Sequence, residues 1–401
     1  MENVLVVGAG MAGLQTVVGL REQGYTGRIT LLGAEPHKPY DRPPLSKEVL
    51  GGKTDDSTFE ADWDALGVEL LLGRAATGLR PADREVDTDA GPLAYDRLVI
   101  ATGSQVVNLP GAADVDGVHT LRTLDDARRL RAALTPGAHV VVVGAGWIGA
   151  EVATSAAALG CRTTVVEALH APLAGAFPDD IGTRFVPWYA EAGVELLLNA
   201  RVDRLEPGAV HLADGTRLPA DAVVVGIGVR PDTGWLAGSG LDLDPRGAVV
   251  VDDHLRTSHP DVYAVGDCVV FPSARYGARL RVEHWDNALH GPRTVAANLA
   301  GGDAAYDPVP YFWSDQFGRM IQYVGHHGPD DELVVRGPGE DGKWSAGWFA
   351  GDTLVALITV ARPRDLAQGR KLVQTGAAVD KAKFADIGTA LKDVQRADGT
   401  A

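Results

Sequence analysis

Short apolar runs that end in glycine turns recur along most of the chain. Residues 4–7 form a continuous β-branched and aliphatic run of strand length, the pattern of a strand buried on both faces. It stops at Gly8-Ala9-Gly10-Met11-Ala12-Gly13, and a helical stretch follows to about Gln23. Residues 29–32 read as a second strand, with Glu35 just past its end. The same order returns at residues 140–143, followed by Gly144-Ala145-Gly146-Trp147-Ile148-Gly149. A helix runs to about Leu159, a strand covers 163–166, and Glu167 follows it. The second turn starts 136 positions after the first, so this is a repeated supersecondary unit and not a solenoid period.

Between the copies, residues 98–100 run into Ala101-Thr102-Gly103; after them, 222–225 lead into Gly226-Ile227-Gly228. Residues 262–265 end in Gly266-Asp267. From about Tyr311 the texture changes to short alternating runs such as 333–335 and 354–360, which predict an antiparallel sheet. Helical stretches near 366–372 and 387–394 close the chain. The pattern predicts an α/β protein with two Rossmann-like dinucleotide units and an α+β C-terminal domain. The expected boundaries are 1–108 with 236–310, 109–235 inserted between them, and 311–401.

Length agrees: 401 residues suggest two or three domains at roughly 100–200 residues each. No run approaches the roughly 20 apolar residues of a membrane span. A strand starting at Val4 leaves no room for a secretory leader, so a soluble cytoplasmic protein is expected. A net charge of −16 argues against nucleic acid and anionic membrane as partners. The two cysteines, Cys161 and Cys268, form no C-x-x-C, which argues against a metal site, an iron–sulfur cluster and disulfide exchange; both are expected to be small buried residues.

The glycine turns carry the chemistry. In G-x-G-x-x-G the first glycine permits the tight turn, the second admits a pyrophosphate to the backbone, and the third allows close helix–strand packing. Amide N–H groups at the helix N-terminus then stabilise phosphate charge. An acid roughly 20 residues on accepts from a ribose hydroxyl. Glu35 lies 22 positions beyond Gly13 and Glu167 lies 18 beyond Gly149. Two complete copies in strand–turn–helix–strand–acid order predict two dinucleotides. Asp267 either meets the ribityl or phosphate region of a flavin or caps a helix.

Several segments carry a resemblance. They are Pro39-Tyr40-Asp41-Arg42-Pro43-Pro44-Leu45-Ser46-Lys47, Ala101-Thr102-Gly103, Leu121-Arg122-Thr123-Leu124 and Gly228-Val229-Arg230-Pro231. Tyr263-Ala264-Val265-Gly266-Asp267-Cys268, Glu283-His284-Trp285-Asp286-Asn287-Ala288 and Phe312-Trp313-Ser314-Asp315-Gln316 complete the set. In order and over essentially the whole chain, these resemble the oxygenase-coupled ferredoxin reductases, the putidaredoxin, rubredoxin and biphenyl-dioxygenase reductase type. The resemblance implies FAD in the first unit and NADH in the second. It places Gly8, Gly10, Ala12, Gly13, Glu35, Arg42, Pro44, Lys47, Arg74, Ala101, Thr102, Gly103, Arg122, Asp267 and Trp285 along FAD. Gly144, Gly146, Trp147, Ile148, Gly149, Glu151, Glu167 and Gly228 would serve the nicotinamide nucleotide. Lys47, Glu151 and Trp313 would stand nearest the reacting rings. Hydride would pass from NADH to flavin N5, then two single electrons to an iron–sulfur ferredoxin that supplies a cytochrome P450 or a ring-hydroxylating dioxygenase. His284, although inside a motif, is read as structural.

One departure stands out. Many relatives carry basic residues after the acid of the second unit, whereas residues 168–175 contain no Arg or Lys. An acidic chain also needs a local basic patch to dock an acidic ferredoxin. Arg275, Arg279 and Arg281 form one candidate, and Arg362, Arg364, Arg370 and Lys371 another. Two other classes share these features: an NADH oxidase, quinone reductase or apoptosis-inducing-factor-like enzyme, and a non-enzymatic NADH-sensing scaffold. Turnover with and without added ferredoxin separates the three.

Overall fold

The computed structural model describes residues 2–337 and 342–396. Each apolar run predicted as a strand is one. Asn3–Val7, Arg28–Gly33 and Val68–Leu72 pair in parallel on one side of the first sheet, and Arg97–Ile100 and Val262–Ala264 continue it on the other. The chain therefore leaves this sheet after residue 100 and returns to it past residue 260. A second parallel sheet has the order Glu195–Leu197, Arg162–Val166, His139–Val143, Ala222–Val225, Val118–His119. In both sheets the strand preceding the glycine turn is central. Its next strand in sequence lies on one side and a strand from much later on the other. That reversal opens a crevice at the carboxyl ends of the strands, where open α/β sheets bind ligands.

The two helices after the glycine turns, Met11–Glu22 and Trp147–Ala158, have little polar surface because both faces are covered. The first packs on Trp285–Leu299 so closely that a Cβ on Gly19 would lie 2.9 Å from the Ala296 methyl.

The C-terminal part is a five-stranded antiparallel sheet, in the order Tyr311–Gln316, Arg319–Gly325, Thr353–Val360, Trp344–Ala350, Glu332–Arg336. Its aromatic face merges with the second unit, where Tyr323, Trp344 and Trp348 pack with Phe177, Phe185 and Trp188. Helix Pro363–Thr375 covers the opposite face.

The helix expected near 387–394 is absent; the region holds only a single 3₁₀ turn, Leu391–Asp393. The cause is Arg336, buried at 2% exposure, whose guanidinium draws in the carbonyls of Phe384, Asp386 and Thr389. Asp386 also accepts from the Gly388 N–H and the Thr389 hydroxyl, so this backbone is bent before a helix can propagate. Cys268 is fully buried as expected, but Cys161 is only half-buried. Among the described residues no helix is long and apolar enough to cross a membrane.

Candidate active site

A single cavity of about 1010 Å³ runs from the first glycine turn, past the inserted segment, to the second. At its start the three glycines divide their work. A Cβ on Gly13 would lie 1.9 Å from the Gly8 carbonyl oxygen, so that position admits no side chain if helix and strand are to touch. A Cβ on Gly10 would meet no atom within 4 Å; it would project into the cavity, where a pyrophosphate belongs. Gly149 and Gly146 repeat this pair, with 2.0 Å to the Gly144 carbonyl oxygen and open space respectively.

Polar side chains then line the length of the cavity. Near the first turn, Glu35 accepts from the Tyr40 hydroxyl (2.6 Å) and pairs with Arg42 (2.8 Å). Arg42 reaches on to the Arg122 carbonyl, and the Leu124 N–H donates to the Tyr40 oxygen (3.0 Å). Burial pushes the Tyr40 phenol above its ordinary value, so it remains a donor. Arg74 donates to Thr88 and to the Ala90 and Gly91 carbonyls, which holds its loop at the cavity edge. Farther in, Asp267 accepts from the Ser104 hydroxyl (2.9 Å) and from Arg122 (3.2 Å). Asp267 makes no capping bond to a backbone N–H of its own 3₁₀ turn, Gly266–Cys268.

Where the two nucleotide units meet stands a Lys47–Glu151 ion pair, 2.6 Å long, with the carboxylate only 5% exposed. Lys47 is aimed by the 3₁₀ turn Pro43–Ser46, whose Pro44 carbonyl accepts the Lys47 N–H (3.0 Å). Glu151 comes from the helix after the second glycine turn, one turn in from Trp147. Rings close this end. Trp313 sits edge-to-face on Trp285 (5.6 Å between centroids), and the Trp285 indole N–H donates to Asp41 (2.8 Å). Trp147 meets Phe312 edge-on (4.6 Å), and Phe312 stacks on His284 (4.2 Å). Burial pushes the His284 imidazole down to about 4, so at neutral pH it is an uncharged ring in the cavity wall.

The fold thus brings most of the sequence-predicted residues onto one surface, from Gly8, Gly10 and Ala12 to Trp147, Ile148 and Gly228. Gly13, Pro44, Gly144 and Glu167 are not on the cavity wall. Gly13 and Pro44 act one step behind it, as described. Gly144, with φ +103°, turns the second loop against the Gly226 carbonyl. Glu167 lies at the outer end of the second sheet. Its two oxygens accept from the Ala145 N–H (2.7 Å) and the Leu169 N–H (2.8 Å). Three of the six large apolar side chains most exposed in the described residues, Ile148, Leu169 and Ile227, flank this unit. They follow the carboxyl ends of its three central strands, Ile148 in the first turn of the helix Trp147–Ala158 and the other two in loops, where flat rings of a dinucleotide would cover them.

Sequence reasoning missed Ser46, Ser104, Ser314 and the Tyr40 hydroxyl as parts of the site. Tyr40, Ser46 and Ser314 lay inside quoted motifs, but nothing local shows that a short hydroxyl is buried against a carboxylate. His284, read as structural, lies in the cavity wall.

Two dinucleotide turns that open into one cavity, with an ion pair where they meet, define a two-nucleotide oxidoreductase. Residues 2–291 match the pyridine nucleotide-disulphide oxidoreductase model, and residues 311–395 match the reductase C-terminal model. The chain is 37% identical to the 5,5'-dehydrodivanillate O-demethylase ferredoxin reductase subunit of Sphingobium sp., over 99% of each chain. The crystal structure of Fdr9 superposes with a TM-score of 0.92 at 48% identity, covering 98% of this chain and 99% of that one. Putidaredoxin reductase, in its covalent complex with putidaredoxin, superposes with a TM-score of 0.93 at 33% identity, covering 98% and 97%. The chain belongs to the pyridine nucleotide-disulphide oxidoreductase family, among the ferredoxin reductases of oxygenase systems.

Proposed function

We propose that this chain is an FAD-dependent NADH:ferredoxin reductase that supplies electrons to a cytochrome P450 or a ring-hydroxylating dioxygenase. One observation carries the reading: a single cavity joins both glycine turns, and the Lys47–Glu151 pair and the Trp285–Trp313 wall stand where the two cofactors' rings would meet. The residues fit FAD, because open space faces Gly10 and polar groups follow from Glu35 to Asp267. Glu35, Arg42, Arg74, Arg122 and Asp267 would hold FAD along its length, with Ala101, Thr102 and Gly103 beside it and Trp285 at its ring end. Bound there, FAD accepts a hydride and releases the two electrons singly. The chain's own part is binding, orientation and exclusion of water. Lys47 holds a fixed positive charge at the junction, Glu151 fixes the lysine, and Trp313 screens the ring edge. The division into 1–108 with 236–310, 109–235 and 311–401 assigns the flavin, the nicotinamide nucleotide and the partner face in turn. Use of cellular NADH and two unpaired cysteines support a cytoplasmic setting.

Turnover tests the reading. NADH oxidation is expected to rise steeply on addition of a [2Fe–2S] ferredoxin; fast direct transfer to oxygen or quinone, or reduction without repeated turnover, would overturn it. FAD is expected to be bound non-covalently. Cys268 is fully buried with its thiol directed at the Val265 carbonyl (3.3 Å), which leaves it no route to a flavin. Acid precipitation should free a yellow compound with the mass of FAD. Flavin retained by the precipitate, or released as FMN, would contradict this.

The structure separates the two basic groups. Arg275 donates to the Val373 and Gln374 carbonyls, and Arg281 pairs with Glu283. In the other group Arg370 lies over the Tyr311 ring (5.0 Å), Tyr311 stacks on Trp313 (6.1 Å), and Arg364 and Lys371 are exposed on the same helix. An acidic ferredoxin would dock there, beside the aromatic end of the cavity. Reversing Arg364 and Lys371 to Glu should raise the ferredoxin KM about 3–10-fold and flatten its salt dependence. Unchanged ferredoxin kinetics in that double variant would remove this face from consideration.

A further inference from the structure

Glu151 is held by side chains from outside its own helix on both carboxylate oxygens. Oε2 accepts from the Ser46 hydroxyl (2.5 Å) and the Lys47 ammonium (2.6 Å), both from the flavin-side turn. Oε1 accepts from the Ser314 hydroxyl (2.6 Å), which arrives on the first strand of the C-terminal sheet. With Glu151 4% exposed and Ser314 1% exposed, water has little access to Oε1. The direction of the Ser314 hydroxyl is also determined. Gln316 Nε2 donates to Ser314 Oγ (3.2 Å), so the serine proton points at the carboxylate. A second tie repeats the docking one helical turn along, where the Phe317 N–H donates to Thr154 Oγ1 (3.0 Å).

We propose that Ser314 is a positioning residue for hydride transfer: through Glu151 it sets the orientation of Lys47, which makes the C-terminal domain part of the nucleotide-to-flavin step. The inference rests on the reading above that the Lys47–Glu151 pair stands at the ring junction. Without the Ser314 proton, Oε1 is a buried carboxylate oxygen with no donor among the described residues. The carboxylate then turns to share its remaining donors, and Lys47 follows it across a 2.6 Å contact. Trp313, the residue before Ser314, lines the same cavity. A push on this strand by a docked partner therefore reaches Glu151 directly.

Rapid mixing of the FAD-loaded enzyme with NADH tests this, with Ser314→Ala, Ser314→Thr and Glu151→Gln measured together. Ser314→Ala should lower the limiting rate of flavin reduction about 10-fold, the loss expected for one hydrogen bond to a buried charge, with the NADH Kd changed less than about twofold. The visible circular dichroism of the bound flavin should shift in the same sense as in Glu151→Gln, and Ser314→Thr should restore both signals. A Ser314→Ala enzyme with wild-type rate and dichroism, beside a slowed Glu151→Gln, overturns the proposal alone. A slowed Ser314→Ala beside an unaffected Glu151→Gln also overturns it, because Ser314 would then not act through Glu151. If neither variant is slowed, the reading of the ion pair fails as well. Should Ser314→Ala not load FAD, Gln316→Leu releases the hydroxyl direction without removing Ser314, and the same outcomes apply.

Discussion

Turnover with NADH is expected to exceed turnover with NADPH by roughly tenfold to a thousandfold in kcat/KM, about 1.4–4 kcal/mol. The preference is expected to arise at Glu167. Its carboxylate ends the strand Arg162–Val166 and is held against the second glycine turn by the Ala145 N–H (2.7 Å) and its own loop by the Leu169 N–H (2.8 Å). A carboxylate fixed there would accept a ribose 2′-hydroxyl and would repel a 2′-phosphate, a repulsive element of the kind that builds specificity. Residues 168–175 contain no Arg or Lys. The fold adds one fact that the sequence does not show. The Ala200 N–H donates to the Glu167 carbonyl (2.9 Å), so Arg201 leaves the neighbouring strand beside this loop and is exposed. Glu167→Ala should therefore narrow the gap mainly by improving NADPH. Adding Arg201→Ala should reverse that gain. Steady-state kinetics with both nucleotides decide it: equal efficiencies in the wild-type enzyme, or a preference for NADPH, would show the site to be misread.

Asp267→Ala should cost FAD affinity by roughly 5- to 150-fold, equivalent to about 1–3 kcal/mol, and the purified protein should be visibly under-loaded. The carboxylate lines the cavity and gathers Ser104 (2.9 Å) and Arg122 (3.2 Å) around it. Burial pulls the Arg122 guanidinium below its ordinary value, and the Asp267 charge is what opposes that. Truncation leaves Arg122 without its carboxylate and would remove the proposed acceptor for flavin hydroxyls. Asp267→Asn keeps the shape and one acceptor and should fall between the two. Equilibrium FAD rebinding to the stripped protein reads the effect. Unchanged affinity in the alanine variant would confine Asp267 to a local structural role.

What could be read from the chain alone was whatever is local. Strand–glycine–helix–strand–acid order is encoded within about 30 residues. The two units and their acids Glu35 and Glu167 could therefore be named by position, whereas Lys47 was named only through the family resemblance. Fully apolar runs such as residues 4–7 and 140–143 are strands because a strand covered on both faces has no polar positions to alternate. The C-terminal alternation likewise marked a sheet with two unlike faces. The one element misread there, the helix near 387–394, has the Thr389 carbonyl and the Phe384 and Asp386 carbonyls just before it drawn to Arg336, about 50 positions away.

Everything that joins the segments was decided by tertiary structure. Glu151 lies 104 positions from Lys47 and 163 from Ser314, and no periodicity relates them. They meet because the first sheet is completed by residues 262–264 after the second unit has been inserted, and because the C-terminal sheet then packs its aromatic face on that unit. The surroundings of the arginines were decided in the same way. Arg275 and Arg364 are alike in sequence as surface cations, but one is spent on the carbonyls at a helix end and the other stays in solvent. A side chain's charge is a property of its residue; the partner that satisfies it is a property of the fold.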